Sequence, residues 1–381
     1  MLSQNEISSP QRIRRYERKF WHDQERNMPS LGCSVCPDRA ICGGLQMKAG
    51  FYDCLQLCCG DPKNCDRICR NHPDFVDRVR EVSSFDFGNV PNGQVLPVPK
   101  LATMVPIVFH ASSRAEIVPS DFVALTLYEM FDRNTGELRF SDRNTLCAAF
   151  RISPSSKIIL TGTAQDPPLE RWWGFGETKR RQIIQGLKAL GITTVTTPNY
   201  SLFTNRPRWD DLHSMKRIAL VHQEFLSEGM PTALHVNGRT DRDFERWADY
   251  VSQRPEITQL AYEFTTGTGQ GSRSALHANW LNTIAKSVGR PLQLIVRGGS
   301  DVLPILASEF AAVTVLDSSS FMKTMMRKRA VPIGNARMTW VDAPSQIGAA
   351  LDGLYAENLK VVRSWVENLA ARPMKGESAA A

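Results

Sequence analysis

The sequence lacks the features that would direct it into or across a membrane. It contains no run of eighteen or more apolar residues, which excludes a membrane-spanning helix. Residues 1–27 have neither an apolar core nor a cleavage site, so we expect no secretory signal. Internal repeats are also absent, which argues against a repeat architecture. A cytoplasmic protein without membrane contact is the expectation that follows.

Positive charge is in mild excess and unevenly distributed along the chain. The chain has 381 residues, 42% of them hydrophobic, and a formal net charge of +7. This length predicts one large domain with a smaller one. The basic residues concentrate in three runs, at 12–19, 178–181 and 323–329. Each run alone is typical of a solvated helix face, but together they favour a nucleic-acid partner.

Cysteine is almost confined to one segment. Eight of the nine cysteines lie between positions 33 and 69, and only Cys147 lies outside. In a reducing compartment such a cluster predicts a metal site rather than disulfides, with free thiols in a small core as the alternative. The predicted ligands are Cys33, Cys36, Cys42, Cys54, Cys58, Cys59, Cys65 and Cys69.

The metal can be zinc or a [4Fe–4S] cluster. Four thiolates suffice for tetrahedral zinc. The Cys-x2-Cys-x5-Cys-Gly-Gly spacing resembles the ligands of auxiliary four-iron clusters, which favours iron–sulfur. A Cys-x3-Cys-x2-Cys signature of radical enzymes is absent, so the predicted role is structural or in nucleic-acid docking.

The rest of the chain predicts an α/β fold. Residues 1–29 form a basic helix, 30–85 the cysteine-rich module, 100–350 a catalytic domain, and 351–381 a helix with a disordered tail. Between 104 and 330, eight short apolar strands alternate with amphipathic helices, without hairpin signals. This pattern predicts a (β/α)₈ TIM-like barrel, with a doubly wound open sheet as the alternative.

Polar residues end most of the predicted strands. In a barrel the carboxyl ends of all strands meet at one rim, where functional residues lie. The residues concerned are His110, Asn199, Asn237, Glu263, Arg297 and Asp317. A small-molecule or base pocket is therefore expected at that rim.

The last strands carry a family resemblance. The segments "TALHVNGRTDRDFERW", "LAYEFTTGTG", "LQLIVRGGSDVL" and "VTVLDSSSFMKTMMRKRA" come in an order that resembles the queuine tRNA-guanine transglycosylase family. Asp317 falls on the family's nucleophile, and Asn237-Gly238 falls on its Gln-Gly pair for base recognition. The chain is also similar to DNA-acting relatives, including bacterial anti-phage DNA glycosylases.

The sequence departs from the family in two places. Thr197, Pro198 and Asn199 stand where the family has an aspartate segment, and no cysteine follows the barrel to form the family's zinc site. The resemblance therefore implies an N-glycosidic-bond enzyme more than it implies tRNA exchange. The expected function is a DNA glycosylase acting on a modified or phage base. Base exchange on DNA or tRNA, and a non-catalytic nucleic-acid-binding protein, stay open as alternatives, as does RNA as partner.

Breaking an N-glycosidic bond places positive charge on the sugar and negative charge on the leaving base. A carboxylate at the sugar suits Asp317, with Glu263 activating water or holding a base edge. Donors and a stacking ring for the base are predicted at Asn199, Asn237, Arg297 and Tyr200. Phosphate contacts are predicted for Lys323, Arg327, Lys328 and Arg329.

Each assignment has a structural alternative. Asp317 can cap the following helix through the "DSSSF" segment, and Glu263 can lie on a solvated edge. Asn237-Gly238 can be a turn only. Aromatic residues near the rim can belong to the core.

Overall fold

The computed structural model describes two short strands near the start of the chain and residues 74–371. Within 74–371 it does not describe 112–113, 204–207, 267–270, 335–336 and 347. These strands, Met28–Pro29 and Gln46–Met47, pair antiparallel. The chain divides into two compact units, residues 1–81 with 203–211 and residues 82–202 with 212–381. Helix α1, Asp74–Glu81, belongs to the first unit. The second unit contains the main sheet.

Eight parallel strands form the main sheet, which is the number predicted between positions 104 and 330. They are β1 Met104–Pro106, β2 Phe122–Thr126, β3 Lys157–Thr161, β4 Thr194–Thr196, β5 Thr232–His235, β6 Gln259–Glu263, β7 Gln293–Arg297 and β8 Ala312–Asp317. Their spatial order is β1-β8-β7-β6-β5-β4-β3-β2. A single parallel bridge between Ile107 and Ala124 connects the two ends of this order. The sheet is therefore a nearly closed barrel, as in a TIM barrel, and the open-sheet alternative is wrong.

Side chains fill the inside of the barrel. Because successive strand residues point to opposite faces, each strand contributes alternate residues to the interior. The buried apolar residues of this interior cluster are Val105, Ile107, Ala124, Ile159, Ala233, Ala261, Ile295 and Leu316. A second, larger cluster lies between the sheet and its helices. A strand residue of the interior cluster points into the barrel, and the residues directly before and after it on that strand point toward the helices.

Helices follow the strands along the chain. They are α2 Arg143–Phe150, α3 Asp166–Gly174, α4 Gly176–Ala189, α5 Arg208–Ser227, α6 Asp241–Ser252, α7 Ser274–Val288, α8 Leu303–Leu306, α9 Ser319–Met325 and, after a hairpin, α10 Asp352–Ala370. Their ends follow local rules. Thr240 and Asp243 form a capping box at the start of α6, and α7 ends at Gly289 with a positive φ of 66°. Within the described part of the chain, no helix is long and apolar enough to cross a membrane.

An antiparallel ribbon interrupts the alternation of strands and helices. Strands β9, Lys328–Ile333, and β10, Arg337–Asp342, pair with each other and with no barrel strand. The absence of hairpin signals was noted for residues 104–330, and this hairpin lies almost entirely after that range. The ribbon lies between α9 and α10, and α10 packs against β1, α8 and α9. Helix α10 therefore completes the helical layer beside β1.

Candidate active site

Glu263 and Arg297 lie opposite each other in the mouth of the barrel. They are paired in register at the carboxyl ends of β6 and β7. Each follows an interior residue by two positions, Ala261 on β6 and Ile295 on β7. Strand alternation therefore directs both side chains into the barrel. Glu263 and Arg297 therefore lie at the same rim, as the sequence predicts.

The carboxyl group of Glu263 is only partly satisfied. Its Oε1 accepts hydrogen bonds from the amide of Thr265, at 2.7 Å, and from the Thr265 hydroxyl. Its Oε2 is 3.9 Å from Nη1 of Arg297 and is buried without a hydrogen-bond partner among the described residues. The Glu263 side chain is 2% exposed, against 26% for Arg297. Oε2 is thus a buried acceptor that faces the mouth.

Burial has a direct effect on the protonation of Glu263. Loss of solvation raises its pKa above the ordinary 4.5, although the Thr265 hydroxyl, the Arg297 charge and the nearby Thr163 hydroxyl oppose the rise. The Nε of Arg297 is also buried without a partner among the described residues. Two polar atoms, one on an acid and one on a fixed cation, are therefore buried at this end of the barrel without a partner among the described residues.

His235 is a mouth residue that sequence reasoning missed. It lies on β5 two positions after the interior residue Ala233 and pairs in register with Ala261, so it sits one layer below Glu263. Its Nδ1 lies 2.7 Å from the carbonyl oxygen of Thr197. Burial lowers the pKa of His235 to about 4, which keeps the ring neutral. A neutral ring that donates through Nδ1 has Nε2 as an acceptor. The alternation in "TALHVN" was the signal that could have found it.

Three of the predicted base-binding residues follow β4 and β5, and their side chains have different environments. Asn199 is half-buried, and its Oδ1 has no partner within the described chain. Asn237 donates its Nδ2 to the carbonyl of Tyr200, at 2.9 Å. Tyr200 is fully buried, with the Arg217 guanidinium 4.1 Å from its ring centroid. The Asn199 oxygen is therefore an unused acceptor, whereas Asn237 and Tyr200 make contacts that shape the rim loop.

Backbone packing beside this loop leaves no room for a side chain at Gly162. A Cβ atom there would lie 2.4 Å from the carbonyl oxygen of Thr196. The Gly162 amide donates to the Thr196 hydroxyl at 2.9 Å. The ends of β3 and β4 are thus fixed against each other just before Asn199.

Asp317 ends β8 but points to the outer face of the barrel. Its predecessor Leu316 belongs to the interior cluster and pairs with Arg297, so Asp317 has the opposite orientation. The carboxylate accepts from the amides of Ser319, at 2.9 Å, and Ser320, at 3.0 Å. It also accepts from both serine hydroxyls. These are the contacts of the capping alternative, and the outward orientation argues against the predicted role of Asp317 at a sugar.

The cationic run after Asp317 is divided among three elements. Lys323 lies on α9, and Arg327 lies in the turn after it with a positive φ of 54°. Lys328 and Arg329 begin β9, where Lys328 contacts Asp342 at 2.8 Å and Arg329 contacts Glu357 at 3.2 Å. The Nε of Arg327 donates to the Ser345 hydroxyl. Their predicted phosphate contacts stay predictions.

The eight clustered cysteines lie outside the described residues. Within the part that the structure describes, no group of three or more histidine, cysteine or acidic side chains is arranged to hold a metal ion. Cys147 is buried and free in the barrel unit. The zinc or iron–sulfur assignment therefore stays a prediction about residues 33–69.

Comparison with known proteins adds little to this geometry. No family model and no curated protein matches the chain. Among solved structures, it is similar to a protein of Anabaena variabilis described as a sugar phosphate isomerase/epimerase. That match has 12% identity and a TM-score of 0.29, and it covers 56% of this chain and 76% of the other. The barrel assignment accordingly rests on the strand pairing of this chain.

The mouth provides the groups needed for acid–base chemistry. A carboxyl with a raised pKa can give a proton to a leaving group and take one back from water. A guanidinium beside it can stabilise negative charge that develops on the leaving group. The neutral His235 adds a hydrogen-bond acceptor for a polar substrate.

Proposed function

We propose that the protein is an enzyme that hydrolyses the N-glycosidic bond of a base in DNA and leaves an abasic site. The observation that carries the proposal is Glu263, a buried carboxyl in the barrel mouth with a raised pKa, an unpartnered Oε2 and Arg297 opposite. A buried ionisable group of this kind is costly to the fold, which favours a catalytic role.

The reaction uses one group twice. Protonated Glu263 gives its proton to the base as the C1′–N bond breaks and the base takes the bonding electron pair. Arg297 stabilises the negative charge that develops on the base. Water then adds to C1′, and the Glu263 carboxylate accepts the proton that the water loses. The products are the free base and a sugar with a C1′ hydroxyl, and Glu263 regains its proton.

Two sequence features support nucleic acid as the substrate. The order of the last four strand segments resembles enzymes that act on N-glycosidic bonds, and the chain carries a net charge of +7. A base inside a duplex cannot reach a barrel mouth, so the base must be extruded or the substrate single-stranded. Modified or phage DNA is the proposed source, because the resemblance extends to anti-phage DNA glycosylases.

The test is base release from DNA. Wild-type protein and Glu263→Gln are incubated with unmodified and with phage-modified DNA, and free bases are identified by mass spectrometry. Abasic sites are counted in parallel with an aldehyde-reactive probe. Release by the wild type and loss in Glu263→Gln support the proposal. No release from any DNA by well-folded wild-type protein overturns it.

A labelled free base separates hydrolysis from exchange. Hydrolysis leaves abasic sites whether or not the base is present. Exchange places the labelled base in the polymer and leaves no aldehyde. Incorporation into DNA or tRNA would replace the hydrolase proposal with the transglycosylase alternative.

A further inference from the structure

The ribbon formed by β9 and β10 is anchored by one of its faces. Ala330 is 4% exposed and pairs with Trp340, so both lie on the face toward α10. The amide of Ala330 donates to Oδ1 of Asn358 on α10, at 2.8 Å. Asn358 also donates to the carbonyl of Lys328 and to the hydroxyl of Thr324. The other face is directed away from the barrel.

The outward face of the ribbon is apolar and cationic. Strand alternation assigns to it Arg329, Val331, Ile333, Arg337, Thr339 and Val341. None of these is acidic, although Arg329 also contacts Glu357 of α10 at 3.2 Å. Ile333 is 56% exposed and Val341 is 43% exposed. Large exposed apolar residues in a folded protein indicate a contact surface when they cluster.

Such exposure is concentrated around the ribbon. Across the part of the chain that the structure describes, eight large hydrophobic residues are strongly exposed. Four of them lie within twenty positions, namely Met322, Met326, Ile333 and Val341. Between positions 319 and 342 the chain has five basic residues and one acidic residue, a net charge of +4. This segment of the chain thus combines exposed apolar side chains with an excess of positive charge.

We propose that this ribbon is an arm that binds the minor groove of duplex DNA, with Arg329 and Arg337 at the groove and phosphates and Ile333 as an apolar wedge. This inference rests on the proposed function, since an enzyme that extrudes a base must open the stack. Proteins that kink a duplex do so by inserting apolar side chains between base steps while arginines lie in the minor groove.

The dimensions and charge of the ribbon agree with a duplex. Six residues per strand extend about 20 Å, which is about six base steps of a duplex. The phosphates on both sides of the groove are complementary to the excess of basic residues. Pro332 and Gly334, the latter with a positive φ of 56°, flank Ile333 at the end of β9.

Binding and bending of DNA test the two parts of the inference. An unmodified duplex of about 20 base pairs, labelled at both ends, reports binding by anisotropy and bending by energy transfer. Arg337→Ala should weaken binding about fivefold to tenfold at about 150 mM salt and lower the salt slope by about one. Ile333→Ser should abolish the bend, with a smaller loss of affinity. Lys157→Ala and Leu276→Ser remove an exposed lysine and an exposed leucine elsewhere and should change neither.

The outcomes separate this inference from the proposed function. Ribbon-dependent binding and bending without base release would leave the arm standing and remove the hydrolase. Base release with unchanged binding and bending in both ribbon variants would do the reverse. Failure of the wild type to bind the duplex, or equal effects in the control variants, overturns the arm and leaves the surface for a protein partner.

Discussion

At the scale of single residues, Glu263 is the group on which the chemistry depends. Glu263→Gln keeps the size of the side chain and replaces the ionisable carboxyl with an amide that does not ionise. We expect single-turnover base release to fall by about two or more orders of magnitude, the usual scale for a general acid–base group. Wild-type release should also decline as pH rises through the raised pKa, because the acid form gives the proton.

The same substitution predicts a pH-dependent change in stability. The pKa of Glu263 is raised in the folded state, so the folded protein keeps a proton that the unfolded chain loses above about pH 4.5. The stability linked to this proton is present below that pH and is lost as pH rises through the folded pKa. Glu263→Gln should therefore gain in Tm relative to wild type as pH increases. A Tm difference that stays constant with pH would contradict the assignment.

For Asp317 we expect a substitution to affect stability rather than base release. Its carboxylate accepts two amides and two hydroxyls at the start of α9, and an amide group in its place can accept through only one oxygen. We expect Asp317→Asn to lose about 1–2 kcal/mol of unfolding free energy and to release base at a rate near that of wild type. Chemical denaturation and single-turnover assays measure the two effects. A well-folded variant with a hundredfold slower release would instead support the sugar contact.

Sequence reasoning located both carboxylates at strand ends but not their directions. A parallel strand buried on both faces is a continuous apolar run, so its pattern does not indicate which face is inside the barrel. The register of Leu316 with Arg297 determines that Asp317 points outward and Glu263 inward. That register depends on neighbours distant in sequence.

At the scale of elements, the eight barrel strands were predictable because β-branched and apolar runs between amphipathic helices have few other solutions. The ribbon was not predictable in the same way. Its alternation is weak, since Ala330 and Trp340 face α10 while Val331, Ile333 and Val341 are on the outer face. Helix α3 carries a pair of tryptophans near its end, and Trp172 is fully buried in the core.

Asn358 joins three elements and should be a sensitive position. Its fully buried side chain forms hydrogen bonds with Thr324 of α9 and with Lys328 and Ala330 of β9. Asn358→Leu would remove the acceptor of the Ala330 amide and the donor to the Lys328 carbonyl, while the Thr324 hydroxyl would keep its bond to the Ser320 carbonyl. We expect a cost of about 2–4 kcal/mol. Urea unfolding measures the loss. Asn368→Ala, at an exposed position of the same helix, is the matched control and should change the free energy of unfolding by less than about 0.5 kcal/mol.

At the scale of the whole molecule, the barrel and the cysteine segment present different problems of stability. The barrel unit has a continuous apolar core on both sides of its sheet. The segment 30–75 has eight cysteines and few large apolar residues, so burial alone would stabilise it little. Thiolates that converge on a metal can supply the missing folding free energy.

We therefore expect the purified full-length protein to contain zinc or iron near stoichiometry with the cysteine cluster. Elemental analysis identifies the metal, and an absorption band in the visible region distinguishes an iron–sulfur cluster from zinc, which is colourless. Cys36→Ser should lower the metal content and the stability together, because it removes a thiolate ligand. Cys147→Ser is the control, since this buried cysteine is free and far along the chain from the cluster, and it should keep the wild-type metal content. A metal-free protein whose unfolding is unchanged by Cys36→Ser would contradict the metal assignment and favour free thiols in a small core.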